Sequence, residues 1–251
     1  MMNSALAAPA GVFVREGVAE LKKSLRLPQF ALPTIITPAV FYALFAVGMS
    51  GANAGAATYS LATFGVFAAT GPALFGFGAG VAVERESGLI ELKRVSPLPA
   101  GAYVTAKLVA AGAMAALALA LIYGLAMFAG VRLAPDRWAL LVLIHMLSAI
   151  PYALFGFAVG MRLGAKGAIA SANAMYLGFS ILGGLWMPIT SLPVWIQKVA
   201  WITPSFHLGQ LALSVIGMPS QGSTLAHLIG IGVITILAAR LALTGWRRSP
   251  A

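Results

Sequence analysis

The stretch from Glu84 to Lys107, ERESGLIELKRVSPLPAGAYVTAK, lies between two long apolar runs and determines how the rest of the chain can be placed. It carries seven of the chain's 22 Lys, Arg, Asp and Glu residues. A charged side chain at the centre of a bilayer costs about 2.5–3.5 kcal/mol on insertion scales. We therefore expect this stretch to lie in water or at a headgroup surface, where a soluble partner can reach it.

The composition of the whole chain is that of an integral membrane protein. Of its 251 residues, 60% are hydrophobic and 9% are charged, and a soluble domain of this length could not bury so much apolar surface. About six spans of roughly 20 residues fit into the chain and leave no room for a separate soluble domain. We expect a single transmembrane domain over residues 1–251.

The net charge of +10 does not indicate a nucleic-acid-binding protein, because the basic residues are scattered between apolar runs. This distribution is typical of residues that orient a membrane protein beside anionic lipid. The absence of cysteine excludes disulfide bonds and thiolate metal sites.

Residues 12–27 predict an amphipathic helix that lies in the membrane interface. Apolar residues recur at spacings of four, three and four and share one helical face, namely Val14, Val18, Leu21 and Leu25. Charged residues occupy most of the remaining surface, and the segment is too short and too charged to span the bilayer. A helix packed against a partner subunit is the alternative.

Six apolar segments are long enough to cross the membrane. The expected spans are residues 31–49, 58–83, 102–130, 138–161, 167–187 and 224–243. With a cytoplasmic N-terminus, 13 of the 16 basic residues fall on or near the inner side, as the positive-inside bias requires. The sequence therefore predicts an all-α integral membrane fold with six transmembrane helices and both termini in the cytoplasm.

Residues 188–223 do not fit a simple count of spans. They are only moderately polar and contain four prolines. A short apolar helical stripe within them is formed by Leu192, Trp195, Ile196 and Val199. This stripe is too short to cross, so we expect short helices that dip into the outer leaflet before the sixth span. The alternative, a seventh span at residues 203–218, would place the basic C-terminus outside.

The sequence lacks the usual catalytic signatures, such as HExxH or a GxxxxGK[ST] phosphate-binding loop. His145, His207 and His227 are far apart in the sequence, and a single His in an apolar helix more often makes a helix–helix hydrogen bond than binds a ligand. No Asp or Glu falls within an expected span, which argues against a carboxylate proton relay and against an intramembrane enzyme. We expect no catalytic site, no bound cofactor and no bound metal in this chain.

Small residues recur within the expected spans. Gly156, Gly160 and Gly164 are spaced every four positions, as are Gly76 and Gly80. Such stripes let helices approach closely, and packing within the chain is favoured over a subunit interface. Several polar residues could either line a substrate path or tie helices together, namely Tyr152, Ser171, Asn173, Tyr176 and Ser180.

The charged stretch has a specific internal order. It starts with charges, continues through a Gly-Leu pair into a second charged run, and ends in Ser-Pro before the third expected span. The residues concerned are Glu84, Arg85, Glu86, Gly88, Leu89, Glu91, Leu92, Lys93, Arg94, Ser96 and Pro97. This order resembles that of the permease subunits of type-2 ABC exporters, although a Thr often follows the Gly in that family where this chain has Leu89.

Other features agree with this resemblance. The interfacial helix, the six spans and an outer pattern of Leu192-Pro193, Trp195 and Pro204 are similar to the family's arrangement, so the resemblance covers nearly the whole chain. It implies that residues 84–99 form a cytoplasmic coupling helix seated in a groove of an ATP-binding subunit.

The resemblance also implies a complex in the cell membrane of a prokaryote. Two permeases, here two copies of this chain, would pair with two ATP-binding subunits that hold ATP and Mg²⁺. The chain length and the small outer region fit members that export drugs, lipids or lipid-linked glycans. The implied cargo is therefore a small hydrophobic or amphipathic molecule.

The residues themselves favour a rigid element at the charged stretch. Glu84–Val95 is long enough for about three helical turns, and Pro97 and Pro99 would stop a helix. Three apolar residues can share one face, namely Leu89, Leu92 and Val95. A short helix joined to two spans can transmit a partner's motion as a rigid body. The alternatives are a solvated loop and, for the whole protein, a channel or scaffold that works without an ATPase.

Overall fold

The computed structural model describes residues 10–48, 53–96 and 98–248, and the regular structure within these ranges is entirely helical. The α-helices there are α1 (Ala10–Leu25), α2 (Pro28–Tyr42), α3 (Ala54–Phe77), α4 (Ala79–Glu86), α5 (Leu89–Val95), α6 (Ala100–Phe128), α7 (Pro135–Leu147), α8 (Ala149–Gly160), α9 (Ala165–Leu182), α10 (Val194–Ala200), α11 (Pro204–Val215) and α12 (Thr224–Arg248). A π-helical turn, Ala43–Gly48, extends α2, and a 3₁₀ turn, Ile189–Ser191, precedes α10.

Four helical stretches in the described chain are long and apolar enough to cross a membrane. They are Ala54–Glu86 (α3 and α4), Gly101–Phe128 (α6), Pro135–Gly160 (α7 and α8) and Thr224–Trp246 (α12). These stretches match the second, third, fourth and sixth expected spans. The first expected span corresponds to a shorter apolar helix, Ala31–Ala46, and its last residue, Met49, lies outside the described residues. The fifth corresponds to α9, which has 18 residues and contains Lys166.

Helix α3 lies at the centre of the bundle. The apolar window of its span is 72% buried, compared with 17% for α12, so α3 is enclosed by protein whereas α12 is peripheral. Its most extensive contacts are with α2, α6, α8 and α11, and it also touches α7 and α9. The core around α3 is formed largely by aromatic and small residues, and Phe67 stacks on Tyr176 of α9 at 4.4 Å between ring centroids.

Helices α3 and α4 form one apolar stretch that is interrupted at Gly78, and α8 packs against this point. A Cβ atom on Gly156 would lie 2.5 Å from the carbonyl oxygen of Leu74, and one on Gly160 would lie 2.6 Å from that of Gly78. The two helices therefore touch backbone to backbone. At these two positions the glycine repeat serves packing within the chain, as the sequence favoured.

We expect Gly156→Ala to lower the free energy of unfolding by about 1–3 kcal/mol, because the added methyl group overlaps the backbone of α3. The matched control is Gly124→Ala in α6, where nothing lies within 4 Å of the new Cβ atom. That control should be neutral or slightly stabilising, since Ala is the better helix former. Unfolding of both variants in detergent, followed by circular dichroism, makes the comparison. Equal stability of the two variants would contradict the packing.

His145 makes helix–helix hydrogen bonds, as expected for a lone histidine in an apolar helix. It is fully buried on α7, where its Nδ1 lies 3.0 Å from the Tyr123 hydroxyl and its Nε2 lies 3.0 Å from the Ala62 carbonyl oxygen. Gly65 makes room for the ring, since a Cβ atom there would lie 2.0 Å from the imidazole. This histidine thus joins α7 to α3 and α6.

Residues 188–223 form short helices that pack on the bundle. Helix α11 has 12 residues and is about 18 Å long, which is shorter than a hydrocarbon core of about 30 Å. It packs against α3, α7, α9 and α12. The length of α11 argues against the alternative of a seventh span at residues 203–218.

Candidate coupling site

The charged segment folds as two short helices instead of one. Helix α4 ends at Glu86, and α5 begins at Leu89 after Gly88, whose φ of +74° lies in the left-handed region. Glycine adopts this conformation without steric cost and commonly ends a helix in this way. The expectation of one continuous helix over Glu84–Val95 is therefore wrong. At the other end, α5 stops before Ser96, whose hydroxyl donates to the Lys93 carbonyl at 2.8 Å.

One apolar side chain anchors α5 to the bundle. Ile90 is 4% exposed and packs in a small cluster with Val81, Tyr103 and Met161. The burial of Ile90 has no clear signal in the sequence, because a seven-residue helix is too short to show a periodicity. In contrast, Leu92 is 64% exposed and Val95 is 85% exposed. Helix α5 therefore presents two apolar side chains outward.

Glu84 is buried and receives hydrogen bonds from two other helices. Its Oε1 accepts from Lys107 Nζ of α6 at 3.1 Å and from Lys23 Nζ of α1, and its Oε2 accepts from the Tyr103 hydroxyl at 2.7 Å. Glu20 of α1 completes the group by accepting from Lys107 Nζ at 2.8 Å. These five residues, hereafter the Glu84 cluster, balance two lysines against two glutamates and join α1, α4 and α6.

The environment of Lys23, the lysine contributed by α1, favours its charged form. Burial opposes the positive charge of Lys23, but the hydrogen bond and attraction from Glu84, with a smaller contribution from Glu20, outweigh it and raise its pKa. A second ion pair, Lys93 to Glu16 at 3.1 Å, joins α5 directly to α1. Helix α1 is thus held to the charged segment at two places.

The next two charges of the segment also bind within the chain. Arg85 donates to the Leu163 carbonyl at 2.7 Å, and Glu86 accepts from the backbone N–H of Ala165 at 2.9 Å, which caps the start of α9. Gly164 allows this approach, because a Cβ atom there would lie 2.6 Å from the Glu86 carboxylate. The first three charges of the segment thus fasten it to α1, α6 and the α8–α9 connection.

The remaining predicted residues of the segment divide by exposure. Glu91 is exposed beside Leu92 and Val95, whereas Leu89 and Lys93 are half-buried. We refer to Glu91, Leu92 and Val95 as the outward face of α5. Pro97 and the side chain of Arg94 lie outside the described part of the chain.

Helix α1 packs with its polar side toward the bundle. Gly17 is buried against Val109 of α6, and Glu20 and Lys23 belong to the Glu84 cluster. The expected apolar face is turned away from the bundle. Val14, Val18 and Leu25 are 44–64% exposed, and Leu21 is half-buried. A helix of a soluble protein would bury its apolar face instead.

A cleft of about 610 Å³ opens beside the Glu84 cluster, between α1, α2, α3 and α9. Its walls are largely aromatic, with side chains of Phe41, Phe67, Phe75 and Tyr176. Glu20, Lys23 and Lys107 also line it. The cleft therefore combines an extensive apolar surface with a paired, charge-balanced polar group.

The polar residues of the expected fourth and fifth spans have different roles. Tyr176 lines the cleft, but its hydroxyl donates to the Phe67 carbonyl at 3.0 Å. Tyr152 is buried against Ser205, and Ser180 donates to the carbonyl of Tyr176 at 2.6 Å. Asn173 lines the cleft and bonds within its own helix. Tyr152 and Tyr176 therefore join neighbouring helices, Ser180 bonds within α9, and Asn173 presents a polar group to the cleft.

Comparison with known proteins gives the class of this molecule. Residues 17–216 match the family described as ABC-2 type transporter, a range that includes the charged segment, the Glu84 cluster and the cleft. A similar protein is "Putative transport permease YvfS" of Bacillus subtilis (strain 168), which is 27% identical over 210 residues, or 82% of this chain and 85% of that protein.

Together with the apolar helices, these matches define an integral membrane transport permease. The chain belongs to the ABC-2 type transporter family. This result confirms the resemblance found in the sequence, and it is consistent with a transporter subunit that has no catalytic site of its own.

Proposed function

We propose that this chain is the permease subunit of an ATP-driven exporter. Two copies would form the transmembrane pathway, and two ATP-binding subunits would hold ATP and Mg²⁺. The observation that carries the proposal is the charged segment, which is fastened inside the chain and presents the outward face of α5. Family membership supports it, because ABC-2 permeases normally pair with an ATP-binding subunit.

The contacts of the segment provide a mechanical route into the bundle. A force on Leu92 and Val95 would reach α4 and α6 through Ile90, and would reach α1 through the Lys93–Glu16 ion pair. The Glu84 cluster fastens the same three helices together. The segment would therefore move α1, α4 and α6 as one rigid body when the ATP-binding subunits close.

The proposed topology has six spans and cytoplasmic termini. The α2 helix with its π-helical turn and helix α9 would be the first and fifth spans. Helix α1 would lie in the inner interface, because its exposed apolar face suits lipid and its charged face is used by the bundle. Helices α10 and α11 would lie at the outer leaflet, which places the basic residues as the positive-inside bias requires.

The cleft indicates the class of cargo. Its aromatic walls suit a hydrophobic or amphipathic molecule. Both lysines that line it are paired with Glu20 and Glu84, so neither is available to neutralise a diphosphate. Among the classes implied by the resemblance, drugs and lipids with a neutral or zwitterionic head therefore fit better than lipid-linked glycans with a diphosphate.

The test uses the tagged chain, purified from membranes together with the product of a neighbouring reading frame that contains a phosphate-binding loop. We expect the wild-type chain to retain an active ATPase. The amount of ATPase that co-purifies with the double variant Leu92→Glu, Val95→Glu should be at least about tenfold lower, because two charges would enter an apolar contact. Val194→Glu is the matched control, since Val194 is 67% exposed but lies on α10, on the proposed outer side.

Two results would overturn the proposal. If the wild-type chain retains no ATPase, or if the double variant retains as much as Val194→Glu does, the outward face of α5 is not the contact. A channel or scaffold that works without ATP would then be the better interpretation.

A further inference from the structure

Two histidines that are 20 residues apart meet where α11 packs against the start of α12. His207 and His227 are 2% and 1% exposed, and their Nδ1 atoms lie 3.0 Å apart. This pairing has no signal in the sequence, because each histidine lies alone in an apolar segment. Neither residue belongs to the coupling site or lines the cleft.

The second nitrogen of each ring bonds to a backbone carbonyl. His207 Nε2 lies 2.9 Å from the Trp201 carbonyl oxygen, and His227 Nε2 contacts that of Gln221. A carbonyl oxygen only accepts hydrogen bonds, so each Nε2 must carry a hydrogen. A neutral imidazole has one ring hydrogen. If both rings were neutral and carried it at Nε2, the two Nδ1 atoms would point their lone pairs at each other. The contact between the Nδ1 atoms therefore requires a third hydrogen.

We propose that His207 and His227 share one proton between their Nδ1 atoms, and that this proton-binding site holds the start of α12 against α11. The face of a neighbouring indole favours the resulting positive charge, since Trp201 stacks on the His227 ring at 5.4 Å between centroids with an interplanar angle of 19°. Phe206 packs against the same ring at 5.4 Å with an interplanar angle of 73°. Binding of a second proton would give each ring its own hydrogen at Nδ1 and separate the pair.

The charged groups of the neighbouring elements are few. The chain has no Asp or Glu after Asp136, so α8 to α12 carry no carboxylate. Asp136 and Arg137 at the start of α7 are exposed, and Arg137 donates to the Ile216 carbonyl. Lys198 on α10 is also exposed. Among the described residues, the charged influence on His207 from a neighbouring side chain therefore comes from His227.

The direction of the pH dependence follows from His207. With one proton already shared by the pair, acid has to add a second one at His207. Burial opposes this second charge, the Trp201 carbonyl partly offsets burial, and repulsion from the charge shared with His227 opposes it further, so the pKa of His207 for this step is lowered from the ordinary value of 6.5. A histidine whose pKa is lower in the folded state favours that state above pH 6.5, and this contribution is lost as the pH falls through the lower value. The contact should hold at neutral pH and open in acid. In the proposed topology, where α11 lies at the outer leaflet, the contact between the two histidines would respond to acid outside the cell. Only this assignment to the outer side of the membrane rests on the proposed function.

The shared proton can be tested by ¹⁵N NMR of the full chain in nanodiscs, labelled at histidine. The chain has three histidines, and His145, with its separate partners, is the internal reference. At pH 7.5 we expect three N–H groups among the four ring nitrogens of the pair and a ¹⁵N–¹⁵N coupling between the Nδ1 atoms. Both signs should disappear as the pH is lowered to 5. One hydrogen per ring at pH 7.5, or independent titration of both rings near 6.5, would overturn the proposal whether or not an ATPase is found.

Two variants test the contact itself. A Cβ atom on Gly230 would lie 2.3 Å from the His207 ring, so Gly230→Ala should separate the rings and abolish the coupling, whereas Gly232→Ala, with nothing within 4 Å, should preserve it. His227→Asn keeps a hydrogen-bonding group near the Nδ1 position but does not titrate. Its melting temperature should fall less between pH 7.5 and 5 than that of the wild type. An equal fall, or a coupling that survives in Gly230→Ala, would contradict the pairing.

Discussion

Replacing Glu84 with Ala should lower the free energy of unfolding by about 3–5 kcal/mol, because it removes one partner from a buried ionic group. Lys107, which is 3% exposed, and Lys23 would keep only Glu20 as a shared partner, and the Tyr103 hydroxyl would lose its acceptor. Unfolding of the purified variant in detergent measures this change. The ATPase activity that co-purifies with the same variant should also be mostly lost, because α1, α4 and α6 would no longer move together.

A double-mutant cycle separates the ion pair from the general effect of altering a buried residue. Glu84→Met and Lys107→Met should each destabilise strongly, but the double variant should recover much of the loss, because Lys23 and Glu20 remain as a balanced pair. Glu91→Ala is the control for an exposed charge of the same segment and should have little effect on stability. Additive effects of the two Met substitutions would show that Glu84 and Lys107 do not interact.

The general architecture could be predicted because the bilayer imposes it. A hydrocarbon core of fixed thickness selects apolar runs of about 20 residues, and four of the six expected spans correspond to helices long and apolar enough to cross. The two weaker segments show why the count is less certain. Helix α9 contains Lys166 and Asn173, and the first apolar helix is interrupted by a π-helical turn at Ala43–Gly48.

The internal contacts of the site could not be predicted, because they join residues distant in the sequence. Glu84 stands among charged neighbours, a pattern typical of an exposed helix end, yet its partners are 61 and 23 residues away. Gly88 was noted as part of a family pattern, and its positive φ explains why the segment is divided into α4 and α5. His207 and His227 likewise meet only because α11 folds back against α12.

Filling the cleft should stop transport without unfolding the protein. Gly76 lines the cleft, and nothing lies within 4 Å of a Cβ atom built there, so Gly76→Trp can place its indole in the open space. A drug-sized ligand occupies a pocket of about 300–1,000 Å³, and an indole would remove a large part of the 610 Å³ available. We expect at least a tenfold loss in the efflux of hydrophobic and amphipathic dyes from cells that express the complex.

The matched control is Gly124→Trp on α6, where a Cβ atom also meets nothing within 4 Å but the residue does not line the cleft. This variant should export the dyes at the wild-type rate if it assembles normally. Gly76→Trp should still retain the ATPase, because the outward face of α5 and the Glu84 cluster are unchanged. Normal efflux by Gly76→Trp would show that the cargo does not pass through this cleft. Loss of both efflux and the retained ATPase would instead indicate that the substitution disturbs the bundle, and the smaller Gly76→Leu would then decide between the two explanations.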